Sequence, residues 1–432
     1  MNTAVFARPL RTVARQPLVH WLVGFKATYL AAVLAGVCLW NDFDEGKFYG
    51  VMARWPREGG PVFASHFATW DAAHYLYLSE VGYHTGVPSC AFYPLWPLLV
   101  RRFAPLVGGS HVLAGVLLAN AFSLAAWVLF HGLVARRWGE SAANWALIFL
   151  IAFPGALFFQ FNYTESPFLL LVLLLWWGLE EQRHGWAWLA ASLLPLSRGV
   201  GVFAVLPIAW YALKPAAPWL KAKMAQASWQ SGAGWMPALL WARSCRAGAG
   251  EVPGSDAAPS VTLPLREVAG RAWLLAAPLL GWAAYLVLMG SWTGNPFEGF
   301  EAQKYWGVHS IGNLWNVPKF VLGFFTPTEW HAFRGSVLDR CAFLLLLYCL
   351  PVMWRMDKGL LVWACVLGIL PAMSGTFTSF TRFASCAFPM FIALGVFLGR
   401  REWRCPRYAL LTVFVTLHVV LAWRFVNFRW AG

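Results

Sequence analysis

Charge is scarce in this chain: only 12% of its 432 residues are Asp, Glu, Lys or Arg, and acids are the scarcer sign, 19 against 33 basic residues. Soluble domains carry about 25% charged residues, so a water-soluble fold of this length is excluded and the solvent for most of it is lipid. The basic excess, net +14, falls in short clusters between apolar runs rather than along one face, so nucleic acid is not its reason. Cysteine is sparse and unpatterned. Eight residues show no C-x-x-C spacing, and Cys341, Cys349, Cys365 and Cys386 lie inside apolar runs, which argues against a disulfide framework or zinc site and for small packing residues. His66, His84, His309 and His331 form no H-E-x-x-H or comparable spacing, so no metal is expected. There is no convincing Gly-rich phosphate loop, hence no nucleotide, and no cofactor is expected. No internal repeat or duplicated half is apparent, which weakens the case for an inverted-repeat transporter.

What is abundant is apolar: 59% of the residues are hydrophobic, and 28 Trp with 33 Phe suit rings that settle at both membrane interfaces. Stretches such as Phe168 to Trp177 are apolar all round, without the polar face of a soluble surface helix. At roughly 20 residues per crossing, spans are expected near 17–40, 111–134, 142–161, 166–180, 271–290, 337–354, 359–374, 383–399 and 407–425. The stretch 186–213 is too short for two full crossings and carries Pro195, Ser197, Arg198 and Gly199 in its middle. Orientation decides how it is read, because Lys and Arg flanking the spans stay cytoplasmic. Two short helices meeting at 197–199 put Arg136, Arg137, Arg183, Arg355, Lys358 and the Arg400–Arg407 cluster inside together. One crossing there would reverse everything after it. A break of that kind is tolerated only where the bare backbone lines protein or a water-filled cavity.

The expectation is an all-α, polytopic integral membrane protein of about eleven helices, forming a single transmembrane domain over 1–432. Its N-terminus is inside, with Arg8, Arg11 and Arg15 ahead of an uncleaved signal anchor, and its C-terminus outside. Outside lie a long first loop, 41–110, the turn 162–165, the loop 291–335 and the turn around Thr381 and Arg382. The segment 214–270, rich in Ala, Gly and Pro and basic through Lys221, Lys223, Arg243, Arg246 and Arg266, is expected to be a cytoplasmic linker.

Chemistry is expected on the outer side. In WDAAHYLYLSEVGY, Thr69 or Asp71 can cap a helix, and His74 and Tyr75 return to the face of Asp71 by i, i+3, i+4 spacing. One reading is an interfacial helix with Asp71 as its N-cap; the other is a carboxylate beside a histidine, able to take a proton from a sugar hydroxyl. Glu80, nine residues on, is out of phase with Asp71 on a helix.

The block WDAAHYLYLSEVGY with AFYPLWP, then FFQFNYTESPF, LSRGVG and EAQKYWGV, in this order and topology, resembles the PIG-V family, the second GPI mannosyltransferases and their prokaryotic relatives. The resemblance is densest in the first block and covers about a quarter of the residues. It implies a GT-C fold and transfer of mannose from a polyprenyl-phosphate carrier, with Asp71 as the base. His74, Tyr75, Tyr93, Glu165, Gln303 and Trp306 are then candidate substrate contacts. The alternative reading of Glu165 is one more carboxylate at a helix N-terminus, and that of Gln303, Tyr305 and Trp306 is part of an aromatic membrane belt. Arg198 is the most telling charge, since an arginine in an apolar hairpin costs about 2.5–3.5 kcal/mol on insertion scales unless it faces a polar cavity. A lipid-phosphate donor needs such a cation; the competing reading is a structural partner to a buried carboxylate. Lys304 and Arg382 are further donor-phosphate candidates, Arg382 equally an interface anchor.

The function expected is an inverting glycosyltransferase, its alternative a transporter or flippase of lipid-linked sugars. A structural membrane partner gives Arg198 no rationale. The partners expected are the bilayer, a polyprenyl-phosphate-mannose donor and an unidentified glycan or lipid acceptor. Heavy use of Arg over Lys and Ala/Trp-rich spans point to a bacterial inner membrane rather than the endoplasmic reticulum, with the site facing periplasm or lumen.

Overall fold

A computed structural model describes residues 16–217, 219, 223, 265–307 and 309–432. Arg8, Arg11, Arg15, most of the expected linker at 214–270, and Val308 of the EAQKYWGV motif lie outside the described residues. The chain divides into two units, Met1–Pro207 with Ala276–Gly432, and Ile208–Leu275.

Helices account for the architecture, with no β-strand among the described residues. Among the described residues, seven helices are long and apolar enough to cross a membrane: Pro17–Leu39, His111–Trp138, Gly199–Ala216, Leu265–Thr293, Val337–Met356, Lys358–Gly375 and Arg401–Val426. Only 17% of the first one's apolar window is buried inside the protein, so its remaining surface needs an apolar solvent. The other four expected segments are helical but shorter: Glu140–Ala152, Glu165–Glu180, His184–Ser197 and Phe388–Leu398.

The expected continuous span at 142–161 is interrupted for a local reason. Its α-helix ends at Ala152, and Pro154 opens a 3-10 turn, Pro154–Phe159, because proline lacks the N–H that would continue the ladder. Likewise 383–399 divides into a short helix, Phe380–Ala384, and Phe388–Leu398 with Pro389 in its first turn.

The break at the hairpin falls where the sequence places it. His184–Ser197 ends at Arg198, whose backbone is extended (φ −156°, ψ 146°), and a 3-10 turn, Gly199–Ala204, follows. Glycine is required there for space. A Cβ on Gly199 would run into the Tyr93 hydroxyl, and one on Gly201 into the backbone of Leu194 and Pro195.

The first long loop, 41–110, folds into short helices, Asp71–Glu80 and Leu95–Phe103 among them, over a buried aromatic floor. Tyr75, Leu76, Trp96, Phe158, Phe161, Tyr163 and Phe425 share one core, so this loop is packed onto the helical bundle rather than lying free on a membrane surface. Glu80 is taken up structurally: its Oε1 accepts from Trp55 Nε1 at 2.7 Å and its Oε2 lies 3.7 Å from Arg57 Nε.

Candidate functional site

Asp71 is delivered by a strained turn. Trp70, the residue before the helix, has φ 54° and ψ −127°, a conformation that costs a bulky L-residue of order 1–3 kcal/mol. Its ring is held against Phe428 and Trp430, and its Nε1 donates to the Arg429 carbonyl at 3.0 Å. Asp71 is therefore the first helical residue, not the cap, and its carboxylate makes no capping bond. This corrects the N-cap reading. The side chain turns instead to Arg382, with Oδ2 2.5 Å from Nη1.

Arg382 is also presented by unusual backbone. Thr376, Phe377 and Ser379 have φ of 47°, 69° and 56°, three left-handed non-glycine residues just ahead of the Phe380–Ala384 helix. Two contacts fix the helix in place. The Thr381 N–H donates to Asp339 Oδ1 at 2.7 Å, and Gly155 leaves room for the Thr381 carbonyl where a Cβ would collide. Strain on both sides of one ion pair marks the place where the fold gives up local stability for geometry.

From Arg382 the charges continue inward. Its Nε lies 3.2 Å from Glu165 Oε1, although not aligned for a hydrogen bond, and Arg198 Nη1 donates to the same Oε1 at 2.9 Å. The order is Asp71, Arg382, Glu165, Arg198, alternating in sign. Side-chain exposure is 18% at Asp71, 11% at Arg382, 1% at Glu165 and 13% at Arg198, so Glu165 is the buried member and both ends of the series are more open. Phe383 lies under both guanidinium groups, its ring centroid 4.6 Å from Arg198 Cζ and 4.8 Å from Arg382 Cζ. Burial alone works against the charge of Arg382, but Asp71 and then Glu165 more than restore it, so its pKa is held above the ordinary value. The two readings of Arg198 merge here: it does pair with a buried carboxylate, and that carboxylate also faces the other arginine.

Around this chain stand groups with unused hydrogen-bonding capacity. Glu165 Oε2, Thr69 Oγ1 and Trp306 Nε1 are buried without a partner in the protein. Such atoms cost free energy unless something completes them. Tyr75 bonds Thr164, oxygen to oxygen at 3.2 Å, and burial first, then Glu165 and Asp71, push its hydroxyl above the usual range, which keeps its proton on.

The structure separates some residues that the sequence grouped. His74 turns to Ser89 (Nδ1 to Oγ 2.8 Å) and packs against Phe92 and Trp306, with no hydrogen bond to Asp71. Burial pushes its imidazole down to about 4, against the opposing pull of Asp71, so it is neutral near pH 7. Tyr93 packs on Tyr285 and places its hydroxyl against Gly199, next to Arg198. The Gln303 amide donates to the Ala91 carbonyl at 3.1 Å and ties the loop 291–335 to the first loop. Lys304 is exposed, its Nζ 5.2 Å from the Tyr305 ring, and joins no ion pair with the four-charge chain.

His309 was considered in the sequence only as a metal ligand. In the structure its ring meets the edge of Phe383 and closes against Gly375, so the loop 291–335 reaches the arginine pair. Burial, then Arg382 and Arg198, lower its pKa to about 4. Among the described residues no cluster of His, Cys, Asp or Glu has the grouping of a metal site.

Against this geometry stand the known proteins. The family model described as mannosyltransferase (PIG-V) matches residues 61–219, which take in Asp71, Glu165 and Arg198 but not Arg382. GPI alpha-1,6-mannosyltransferase 2 of Mus musculus is 34% identical over 142 residues, 30% of this chain; the match spans only 28% of the mouse protein's length. ArnT from Cupriavidus metallidurans, solved bound to undecaprenyl phosphate, aligns with 95% of this chain and 64% of its own at 15% identity and a TM-score of 0.42. The Archaeoglobus fulgidus oligosaccharyltransferase, in complex with Zn and sulfate, aligns with 94% of this chain and 53% of its own at 12% identity and a TM-score of 0.46.

Proposed function

We propose that this helical membrane protein, PIG-V-like over residues 61–219, is an inverting glycosyltransferase of the GT-C kind that moves mannose from a polyprenyl-phosphate donor to an acceptor hydroxyl. The observation that carries the reading is one partly exposed carboxylate, Asp71, ion-paired to the first of two guanidinium groups that share the buried Glu165. The acceptor oxygen attacks C1 of the β-linked sugar as its proton passes to Asp71. The bond from C1 to the phosphate oxygen breaks with its electron pair, leaving a lipid phosphate, and the product is α-linked. Charge develops on the departing phosphate, where the Arg198 and Arg382 guanidinium groups stabilise it. In this reading Tyr75, Glu165 through its unpartnered Oε2 and Trp306 through its unpartnered Nε1 bond sugar hydroxyls. The pocket faces the non-cytoplasmic side, by the charge distribution of the flanking segments.

The test is transfer of label from polyprenyl-phosphate mannose in membranes containing the full chain. Asp71→Asn should lower transfer by about 10²–10⁴-fold, the usual worth of a general base. Lipid movement without sugar transfer, undiminished in Asp71→Asn, would instead assign a flippase.

A further inference from the structure

Asp71 does not point freely at an incoming hydroxyl. Its Oδ2 is bonded to Arg382 Nη1 at 2.5 Å, which turns the carboxylate toward the guanidinium and leaves only Oδ1 outside that bond. Arg382 itself is fixed from behind. Its guanidinium carbon lies 4.8 Å from the Phe383 ring centroid, 5.5 Å from that of Tyr163 and 5.7 Å from that of Phe158. Beneath it, Glu165 is 1% exposed and shared with Arg198. Asp71 is the most exposed member of the chain and the only one on a separate outer-loop helix, so it is the partner that can leave.

We infer that Asp71 occupies the place of the donor phosphate on Arg382, and that the donor must displace it before it can act as the base. The inference rests on the reading of Arg382 as a donor-phosphate residue. The donor's phosphodiester offers a guanidinium two paired oxygens and one negative charge, the same complement as a carboxylate, and it takes the place of Asp71 once the lipid donor is concentrated in the bilayer. The displaced carboxylate, released a hydrogen-bond length from the sugar phosphate, is then free for the acceptor proton. Two anions and two cations make the empty pocket neutral in sum, so it is stable without substrate. The binding order follows: donor first, acceptor second, with no base unlatched while the donor is absent.

The experiment measures equilibrium binding of a polyprenyl phosphate, lacking sugar, to the purified full chain in detergent. If Asp71 competes for Arg382, Asp71→Asn should bind the lipid about tenfold more tightly than the unaltered protein, within the usual range of coupling between two sites. In an Arg382→Gln background binding should weaken, and adding Asp71→Asn should change it less than twofold. A tightening of equal size in both backgrounds would reduce the effect to general charge and overturn the displacement, as would equal or weaker binding by Asp71→Asn. Asp71→Ser removes the same carboxylate and serves if the Asn variant fails to fold. If neither the unaltered protein nor any variant binds the lipid phosphate, the donor reading itself falls, a different result from binding that is indifferent to Asp71.

Discussion

Arg198 and Arg382 share a single carboxylate oxygen: Glu165 Oε1 lies 2.9 Å from Arg198 Nη1 and 3.2 Å from Arg382 Nε. One buried anion therefore keeps two cations close enough to act on one phosphate. Buried ion pairs contribute little net stability compared with apolar packing, so stability alone does not account for their presence at this site, whereas the proposed donor-phosphate role does.

Removing that anion should be severe. Glu165→Gln leaves two guanidinium groups close together with half their compensation, and breaking a buried pair costs about 3–5 kcal/mol. A lower melting temperature and lower extracted yield in detergent are expected, with part of the loss recovered in the Glu165→Gln, Arg198→Gln double variant. Unchanged melting of the single variant would contradict the buried pairing.

Arg198→Lys should raise donor KM more than the same change at exposed Arg102, because a point charge replaces a planar fork beside Glu165 and above Phe383. Steady-state kinetics with polyprenyl-phosphate mannose check this. Equal KM and kcat in both variants would return Arg198 to a structural partner of Glu165.

His74 carries a pH dependence. Its imidazole is about 4 in the folded protein against an ordinary 6.5, so between these values the unfolded chain binds more protons. The stability it contributes is complete above about 6.5 and is lost as pH falls toward 4. A shift of this size corresponds to a contribution on the order of 3 kcal/mol. His74→Gln should flatten the fall in melting temperature over that window; an identical slope in both proteins would show that other groups set it.

Because His74 is bonded to Ser89 while Asp71 is bonded to Arg382, their effects on turnover should add. His74→Ala should cost the same factor in the unaltered and Asp71→Asn backgrounds, measured at saturating donor. Strong non-additivity would mean that the two side chains meet in the working complex.

Topology has its own test. A cysteine at Gly60 should react with an impermeant thiol reagent from outside and one at Lys358 only from inside, since they flank opposite ends of the expected crossings. Labelling of both from one side would remove the proposed orientation of the pocket.

The individual charges were legible because charge is rare: in so apolar a chain Asp71, Glu165, Arg198 and Arg382 stand out against their neighbours. The break at Arg198 was legible from Pro195 and Gly199, whose steric demands are local. Their partners were not. Asp71 and Arg382 are 311 residues apart, and helix periodicity says which face a residue occupies but not which distant turn will meet it. Asp71 and His74, expected to pair, share no hydrogen bond in the structure, for a related reason. Face-sharing at i, i+3 brings side chains near, but the Trp70 turn aims the carboxylate at Arg382 while Ser89 claims the imidazole. Glu80, dismissed on helical phase, is indeed turned to Trp55 and Arg57. His309 had no signal in its own surroundings, being brought to Phe383 only by the course of a long loop.

The pairing of Glu165 with Arg198 also constrains how such a chain enters a bilayer as it is made. Glu165 emerges 33 residues before Arg198, and either charge alone in the hydrocarbon is unfavourable. The hairpin of Glu165–Glu180 and His184–Ser197, closed by Arg198, is the smallest stretch that carries its own counter-ion. Its helices are therefore best inserted together, as one electrically balanced step, leaving Arg382 to bring a second cation when the last helices arrive.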